Sequence, residues 1–396
     1  MMGRELASEW MMRTGLSLSL IVGVVSGCDS QSLAIGSNDG GLGGSGACHQ
    51  VFVRASLPPV SPQSHHVATA DLNGDQIPDL VVASRAEGVD VLLGHGDGTF
   101  AAELTYNVGQ IDSVAVADFN RDGRPDVAAA DDSTGLVTIL LGSGGGALGA
   151  PATYRAGNSP WSIQAADLNG DQVPDLAVTN IFGTPTVSVL LGRGDGTFSP
   201  QVSYMTDAGP DGVAIADLDG DGKLDLAVAN QTARSVSVLM GRGDGTFGAQ
   251  TSTASDGGPT TIVAGDLDGD GRPDLVVADQ ETNRVGVFRN KGDGTMEIER
   301  TFDVLALPYG VAIGDLDRDG KPDIVATNGQ SGNVSVLFGN GDASFRPQQT
   351  FEIDSVSGTY PLAVAIDDFN GDHRPDLVIA RSQVNSASVL LGDCRP

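Results

Sequence analysis

One nine-residue pattern occurs seven times along this chain of 396 residues. It reads Asp-x-Asn/Asp-x-Asp-x-x-Pro/Leu-Asp, and its copies begin at Asp71, Asp118, Asp167, Asp217, Asp266, Asp315 and Asp368. Successive copies start 47 to 53 residues apart. Such a period predicts one structural unit per copy, and the short apolar runs beside each copy favour strands over helices. The sequence therefore predicts an all-β array of seven similar units.

The residue types within the pattern predict a metal-binding loop. Side-chain oxygens at positions 1, 3, 5 and 9 and the carbonyl of position 7 converge if the chain turns tightly, and glycine at position 4 or 6 of every copy permits that turn. Only hard oxygen ligands occur at these positions, which is the preference of Ca²⁺ rather than zinc or copper. The predicted calcium ligands are Asp71, Asn73, Asp75, Ile77, Asp79, Asp118, Asn120, Asp122, Arg124, Asp126, Asp167, Asn169, Asp171, Val173, Asp175, Asp217, Asp219, Asp221, Lys223, Asp225, Asp266, Asp268, Asp270, Arg272, Asp274, Asp315, Asp317, Asp319, Lys321, Asp323, Asp368, Asn370, Asp372, Arg374 and Asp376.

Two other interpretations of the loop are weaker. It resembles the first part of an EF-hand, but it closes with Asp at position 9, and strand-forming residues such as 80–83 follow directly. No flanking helix is indicated, so EF-hand and dockerin folds are disfavoured. Acidic surface turns without metal are the second alternative, and seven copies in register argue against it.

The charge of the chain is concentrated in these loops. The sequence has 22 basic and 51 acidic residues and a net charge of -29, and nearly half of the acidic residues lie in the seven copies. Up to seven structural Ca²⁺ ions would cancel roughly half of that charge. Without metal the crowded carboxylates repel one another, so we expect chelation to loosen the fold. The basic patch that nucleic acid requires is absent from the sequence, which disfavours such a partner.

Residues 1–27 predict a lipoprotein signal peptide. The apolar run 15–25 follows Arg13 and is too short to span a bilayer. The segment 25–28 resembles the bacterial lipobox, whose cysteine is acylated, so Cys28 is the predicted lipidation site. An ordinary secretory peptide with a chance cysteine is the alternative.

Residues 28–47, rich in Gly, Ser, Asn and Asp, predict a flexible tether. The mature chain is then expected beyond the inner membrane, anchored by lipid in the cell envelope, with the outer membrane or cell surface favoured. The lipid is the only membrane attachment that the sequence predicts.

Each repeat contains four short strand-forming segments. In the second repeat, apolar runs at 113–117, 126–130 and 137–142 are separated by the Asp loop and a turn, and a fourth segment follows a Gly-rich turn. Four strands in about fifty residues are typical of one propeller blade. Five of the Gly-rich turns read Gly-Asp-Gly-Thr-Phe or a close variant, at 96–100, 194–198, 243–247, 292–296 and 341–345.

The Asp loops together with these turns resemble FG-GAP/VCBS repeats, the blades of the integrin α-subunit head and of many bacterial secreted proteins. The resemblance covers residues 48–396 and implies a seven-bladed β-propeller of four-stranded blades. Only the second copy departs from the turn pattern, where glycines and serine at 142–146 replace the aspartate version.

Counting along the repeats predicts how the ring closes. Phe52 lies about as far before the first loop as Phe100 lies before the second, so segment 50–60 occupies a fourth-strand position. Because the seventh unit ends after its third strand, this N-terminal strand is expected to complete the last blade. Closure places Cys48 and Cys394 beside the same turn, where an extracytoplasmic location permits a disulfide.

A ligand site is predicted on the face opposite the calcium loops. Six positions before each loop, one residue per blade is expected around the central channel: His65, Asp112, Trp161, Asp211, Thr260, Tyr309 and Leu362. His65, Trp161, Tyr309 and Tyr360, with Phe182 nearby, form a candidate rim for stacking on a sugar or gripping a peptide. The alternative is that these aromatic residues only pack blades together.

The sequence therefore favours a monomeric, calcium-binding module that holds a glycan or a protein on its calcium-free face. No histidine spacing or nucleophile elbow indicates an enzyme. A lyase or hydrolase acting on envelope polysaccharide and a purely structural spacer remain alternatives.

Overall fold

The computed structural model describes residues 49–55, 59–353, 360–383 and 387–395. The predicted signal peptide, the tether, Cys28 and Cys48 lie outside these residues. The described part is all-β, with thirty strands and no helix, and so it contains no helical segment able to cross a membrane.

Seven antiparallel four-stranded sheets form the blades of a propeller. The inner strand of each blade precedes the Asp loop, and the second strand follows it. In order from the inner strand outward, the blades are β2 (Ser64–Ala70), β3 (Asp79–Ser84), β4 (Gly88–Leu92), β5 (Leu104–Tyr106); β6 (Ile111–Ala117), β7 (Asp126–Asp131), β8 (Leu136–Leu140), β11 (Ala152–Arg155); β12 (Pro160–Ala166), β13 (Asp175–Asn180), β14 (Thr186–Leu190), β15 (Val202–Met205); β16 (Pro210–Ala216), β17 (Asp225–Asn230), β18 (Ser235–Leu239), β19 (Thr251–Ala254); β20 (Pro259–Gly265), β21 (Asp274–Asp279), β22 (Arg284–Phe288), β23 (Arg300–Asp303); β24 (Pro308–Gly314), β25 (Asp323–Asn328), β26 (Asn333–Leu337), β27 (Gln349–Glu352); and β28 (Pro361–Asp367), β29 (Asp376–Arg381), β30 (Ser388–Arg395), β1 (His49–Ala55).

The N-terminal strand completes the seventh blade, as the sequence predicted. Strand β1 pairs antiparallel with β30, in a register that runs from Ala55 opposite Val389 to His49 opposite Arg395. The inner strand of blade 1, β2, also packs beside the inner strand of blade 7, β28. The sheet pairing therefore joins the two ends of the repeat into a ring.

The second blade has the one irregular turn that its sequence predicted. A small hairpin, β9 (Gly142–Gly144) with β10 (Ala147–Leu148), replaces the Gly-Asp-Gly turn of the other blades. In five other blades that turn is closed by a single bridge, such as Gly94 with Phe100.

Apolar side chains between successive blades form the core. The second strands are buried along their whole length, because each is covered on both faces by neighbouring blades. Aromatic pairs cross these interfaces edge to face: the rings of Phe119 and Phe198 lie 5.4 Å apart between blades 2 and 3, and those of Phe100 and Phe369 lie 5.7 Å apart between blades 1 and 7. The core thus consists of apolar clusters between neighbouring blades and encircles the channel.

Candidate metal loops and channel mouth

The Asp loops are folded by their own first aspartate. In the first loop, Asp71 Oδ1 accepts hydrogen bonds from the backbone N–H groups of Gly74 (2.7 Å) and Asp75 (3.1 Å), and its Oδ2 accepts one from Gln76 (2.8 Å). The first aspartate of the fourth loop, Asp217, makes the corresponding bonds. The first aspartate therefore specifies the tight turn before any metal is considered.

Two positions in every loop adopt a left-handed backbone conformation. Positions 4 and 6 both have positive φ in all seven copies, whereas the sequence places glycine at both positions in only two. The non-glycine residues held in this conformation are Gln76, Arg121, Gln172, Arg318 and His373, with φ between 58° and 67°. The loops therefore contain more backbone strain than their glycines alone suggest.

The aspartate at position 9 is buried in every copy. Asp79 is the first example: its Oδ2 accepts a hydrogen bond from the Leu72 N–H and its Oδ1 accepts one from the Gly94 N–H, both at 2.8 Å. Burial raises the pKa of Asp79 to about 6, against the opposing effect of these two donors. This carboxylate holds the loop against the start of the Gly-rich turn at Gly94. A cation beside the carboxylate would favour its ionised form.

Three loops bring three carboxylates together at a distance suited to one cation. The ligand oxygens within each group lie within 4.8 Å of one another. The groups are Asp217, Asp219 and Asp225; Asp266, Asp268 and Asp274; and Asp315, Asp317 and Asp323. In the other four loops position 3 is asparagine, so only two of these three positions carry a carboxylate. The oxygen donor set fits a hard divalent cation, although acidic groups at a surface are common without one.

The predicted ligand at position 5 points toward its own loop in this structure. In the fourth loop, Asp221 Oδ1 accepts the Lys223 N–H at 2.9 Å, while its Oδ2 lies 2.5 Å from the Lys223 ammonium. The basic residue at position 7 makes the same pair in three other loops, at Arg124, Arg272 and Lys321. A residue predicted to offer only its carbonyl thus also supplies a counter-charge.

Around the channel, the structure assembles six of the seven predicted residues into one cavity. We call this cavity the channel mouth; it is lined by His65, Asp112, Trp161, Asp211, Tyr309 and Leu362. All six lie in or beside an irregularity between the inner and second strands, such as the one between Ser64 and His66, and such bulges redirect side chains.

Three predicted residues lie elsewhere. Thr260 is buried, and its hydroxyl donates to the carbonyl of Tyr309 at 2.8 Å instead of facing the cavity. Tyr360 is not among the residues that line the channel mouth. Its backbone has φ of 39°, and its carbonyl accepts the N–H of Ser382. Phe182 is 63% exposed and also lies outside the cavity.

A network of charged residues adjoins one side of the channel mouth through Asp112 and His65. Arg85 Nε lies 3.3 Å from Asp112 Oδ1, and Arg85 Nη2 lies 2.8 Å from Asp132 Oδ2. His65 Nδ1 is 3.6 Å from the same Asp112 oxygen. Burial raises the pKa of Asp112 to about 8, against the attraction of Arg85, and burial followed by Arg85 lowers the pKa of His65 to about 4. His65 is therefore neutral at pH 7.

The other side of the channel mouth contains a second buried carboxyl group. Asp211 is 5% exposed and accepts a hydrogen bond from the Trp161 side chain. Burial raises the pKa of Asp211 to about 7. Tyr309 lies beside it, and burial, with Asp211 next, raises the phenol pKa well above its usual value. Aromatic faces and carboxyl groups therefore share this side.

Sequence reasoning missed three residues, namely His66, which lines the channel mouth, and the ion pair of Arg85 and Asp132 beside it. Arg85 and Asp132 follow the second strands of blades 1 and 2, and His66 stands next to a predicted rim residue. Their only sequence signal was their position at the ends of strands that open on the same face.

The predicted disulfide stays a prediction, since Cys48 and the Cys394 side chain lie outside the described residues, among which no disulfide is present.

The chain matches a known repeat family over most of its length. Six overlapping segments match the FG-GAP-like repeat, at residues 71–129, 118–178, 174–228, 217–277, 266–326 and 315–379. Two curated relatives are similar over short regions. Bovine (Bos taurus) phosphatidylinositol-glycan-specific phospholipase D is 37% identical over 84 residues, covering 18% of this chain and 10% of the relative. Human (Homo sapiens) integrin alpha-7 is 32% identical over 144 residues, covering 30% of this chain and 12% of the integrin.

The match thus spans only about a tenth of the length of either curated relative.

Solved structures resemble the whole ring. BBS1N in complex with ARL6DN has a TM-score of 0.60 at 12% identity, over 86% of this chain and 97% of that one. An inactive virginiamycin B lyase from Staphylococcus aureus with quinupristin has a TM-score of 0.59 at 13% identity, over 87% and 99%. These likenesses establish the propeller fold.

Proposed function

This chain belongs to the FG-GAP-like repeat family, and on that premise we propose that it is a calcium-stiffened binding module acting outside the cytoplasm. Its ligand, a glycan or a protein, occupies the face opposite the Asp loops. The observation that carries this proposal is the channel mouth, where Trp161, Tyr309, Asp112 and Asp211 from four blades surround one cavity. Aromatic walls with a few convergent polar groups are typical of a ligand pocket.

Calcium has a structural role in this proposal. The loops lie on the far side of the ring from the channel mouth, so a bound ion stabilises the blades and takes no part in ligand contact. Up to seven ions are expected, held at positions 1, 3, 5, 7 and 9 of each loop. Loops 4 to 6, which group three carboxylates, are the best supported. Since binding energy to the folded loops adds to folding energy, calcium should raise the unfolding temperature.

The remaining features of the proposal rest on the N-terminal sequence. A signal peptide and acylation of Cys28 would place a monomeric propeller on the envelope, tethered by residues 28–47. A disulfide between Cys48 and Cys394 would lock the closing blade. Mass spectrometry of the protein from membranes tests both, through a lipid mass on Cys28 and a cross-linked pair of peptides.

A lyase or hydrolase acting on envelope polysaccharide is the second candidate. One observation favours it: the carboxyl group of Asp211, whose pKa is raised to about 7, lies beside the Tyr309 phenol. Groups that titrate near neutral pH in a cleft are suited to acid–base chemistry. Release of soluble fragments from purified envelope polysaccharide would favour the enzyme over the binding module.

A binding panel tests the main proposal. The full chain would be applied to a glycan array and to purified envelope proteins, in calcium and in EDTA. We expect a bound ligand in calcium, weaker binding in EDTA, and loss of binding with Trp161→Leu, since leucine occupies the equivalent position, Leu362, in blade 7. Phe182→Leu is the control, because Phe182 is an exposed aromatic residue on the same face outside the cavity. Binding to no member of the panel would favour a structural spacer.

A further inference from the structure

Asp211 is a buried carboxyl group without a counter-ion. It is 95% buried, as its 5% exposure indicates, and lines the channel mouth. Trp161 donates one hydrogen bond to it, and no Lys, Arg or His of the described chain lies within ion-pair distance of it. A buried carboxylate of this kind must hold a proton or receive a cation from outside the chain.

The protein places its own cation against the same indole ring. The guanidinium carbon of Arg85 lies 5.5 Å from the centroid of the Trp161 ring, while Arg85 also pairs with Asp112 and Asp132. A cation beside an aromatic face and a carboxylate is therefore already part of this site. The Asp211 side offers the same two elements, an aromatic wall and a carboxylate, without the guanidinium.

The charged groups in and beside the cavity leave one carboxyl group unpaired. Burial raises the pKa of Asp112 to about 8, so this group is largely protonated at pH 7, and Arg85, the one permanent positive charge among these residues, pairs with Asp132. Burial lowers the pKa of both His65 and His66 to about 4, so these imidazoles are neutral at pH 7. Asp112 Oδ1, although near Arg85 and His65, accepts no hydrogen bond in the described part of the chain. Asp211 is therefore the carboxyl group of the described cavity lining that has no basic partner.

The size and lining of the cavity select the kind of cation. Its volume of about 80 Å³ is close to that of two or three waters, which suits an ammonium head and a few methylenes but is small for a sugar ring. Valines also line the cavity, at Val67, Val213, Val311 and Val364, and offer apolar contact to the methylenes of such a cation.

We propose that the channel mouth binds a primary ammonium group on a short alkyl chain, the chemistry of a lysine side chain of a protein ligand, with Asp211 as its counter-ion and Trp161 and Tyr309 as its aromatic wall. This inference rests on the proposed function and narrows its ligand from glycan or protein to a protein that presents a lysine. The small cavity favours lysine over an amino sugar, and the site resembles the arrangement that Arg85 already occupies.

The test is calorimetric titration of the full chain, in saturating calcium at pH 7.5, with n-propylammonium chloride. Its matched neutral control is 1-propanol, which has the same stem without the charge. We expect saturable binding of the amine only, weakened about tenfold or more in Asp211→Asn, because a charged hydrogen-bond partner is lost. Asp303→Asn is the control variant: it removes the same charge from an exposed outer strand and should leave binding unchanged.

The pH dependence gives a second measurement that a purely structural role of Asp211 would not produce. Amine binding needs the carboxylate, and the pKa of this group lies near 7 in the free protein, so protons compete as the pH falls. We expect the affinity for n-propylammonium to fall between pH 8 and pH 5.5 in the wild type and to show little pH dependence in Asp211→Asn. Trp161→Leu provides a further variant if Asp211→Asn does not fold.

Each outcome separates this inference from the function on which it rests. Equal binding of 1-propanol and the amine, or an unchanged affinity in Asp211→Asn, overturns the ammonium site. If the binding panel finds a Trp161-dependent ligand while n-propylammonium gives no saturable heat, the inference fails and the proposed function stands. Glucosamine binding more tightly than n-propylammonium would also overturn the choice of a lysine side chain.

Discussion

The backbone N–H of Gly98 in blade 1 donates a 2.9 Å hydrogen bond to the carbonyl of Phe369, the second residue of the Asp loop in blade 7. This bond joins the first and last blades on the calcium-loop face. Other interfaces repeat it between a turn and the second loop residue of the preceding blade: Gly146 with Leu72, Gly196 with Phe119, Gly245 with Leu168, and Ala343 with Leu267. The geometry of each loop is therefore coupled to the neighbouring blade.

Gly98→Ala should destabilise the ring at its closure. Gly98 has φ of +79°, and a Cβ there would meet the side chain of Leu391 at 2.8 Å. The left-handed strain and the clash together are expected to lower the free energy of unfolding by about 2–4 kcal/mol. Chemical unfolding measures this directly.

Gly145→Ala is the matched control for that experiment. Gly145 also has positive φ, +63°, but a Cβ there has no heavy atom within 4 Å. It should carry the backbone strain alone, about 1–2 kcal/mol. Equal losses in the two variants would contradict a specific role for the contact between Gly98 and Leu391.

The ring could be predicted from the sequence because the Asp-loop pattern repeats at a regular interval along the chain. Seven copies of one loop give seven blades, and the missing last strand after Leu391 leaves one place for the segment around Phe52. The alternation of short apolar runs and turns did not need long-range information. The fold, including closure by the N-terminal strand, was therefore accessible without coordinates.

Features that depend on contacts between repeats were not accessible in the same way. Arg85 reaches Asp132 in the next blade, 47 residues away, and nothing local marks either residue as a partner. Tyr360 was expected at the channel because it is close in sequence to an inner strand, yet it does not line the cavity. Strain at Arg318 was also hidden, since the pattern requires glycine at only one of two positions. Which side chains reach the cavity depends on their direction at the β-bulges, and the sequence does not show that direction.

Two substitutions in the fourth loop should separate metal binding from loop folding. Asp219→Asn introduces the residue that four other loops have at position 3, so the metal-free protein should lose no more than about 0.5 kcal/mol. Because one ligand charge is lost, calcium should bind this loop about tenfold more weakly. Unfolding in EDTA and calorimetric titration with calcium measure the two effects.

Asp225→Asn should behave differently. Asp225 accepts the N–H groups of Leu218 (2.8 Å) and Gly241 (2.7 Å), and the amide NH₂ of asparagine cannot accept one of them. We expect a loss of about 1–3 kcal/mol both in EDTA and in calcium. If Asp225→Asn were silent in EDTA, position 9 would serve the metal alone.

Arg318→Gly should stabilise the sixth loop. Arg318 has φ of +58°, a conformation that costs an L-residue about 1–2 kcal/mol, whereas glycine adopts it freely. After the greater entropy of glycine in the unfolded chain is subtracted, we expect a gain of about 0.5–1 kcal/mol in EDTA. Gly320→Ala, at φ of +82° in the same loop with open space around it, should lose a similar amount. A loss in Arg318→Gly would show that the arginine side chain itself supports the loop.

Hydrogen-bonded polar side chains link neighbouring strands in other blades, and blade 5 has different residues at the equivalent positions. In blade 6, Asn328 donates to Ser335 at 2.8 Å, and Ser335 donates to Gln348 at 2.5 Å. Asp279, Gly286 and Glu299 occupy the equivalent positions in blade 5. The Ser255 hydroxyl lies 2.8 Å from the Asp279 carboxyl and 3.0 Å from that of Glu299. Burial, and then Asp279, raises the pKa of Glu299 to about 8.

This carboxyl pair should make stability fall as the pH rises. The folded protein binds the Glu299 proton more tightly than the unfolded chain, so the stabilising contribution is complete below about pH 4.5 and is lost up to about pH 8. Glu299→Gln restores the amide that Gln348 provides in blade 6. We expect Glu299→Gln to be more stable than wild type at pH 8 by about 1–2 kcal/mol, a value that allows for solvent screening. At pH 5 the two proteins should be equally stable. Unfolding in saturating calcium across this range measures the difference, with the more exposed Glu297→Gln as control. Parallel pH profiles for wild type and Glu299→Gln would contradict this prediction, because they would mean that the pKa of Glu299 is not raised in the folded protein.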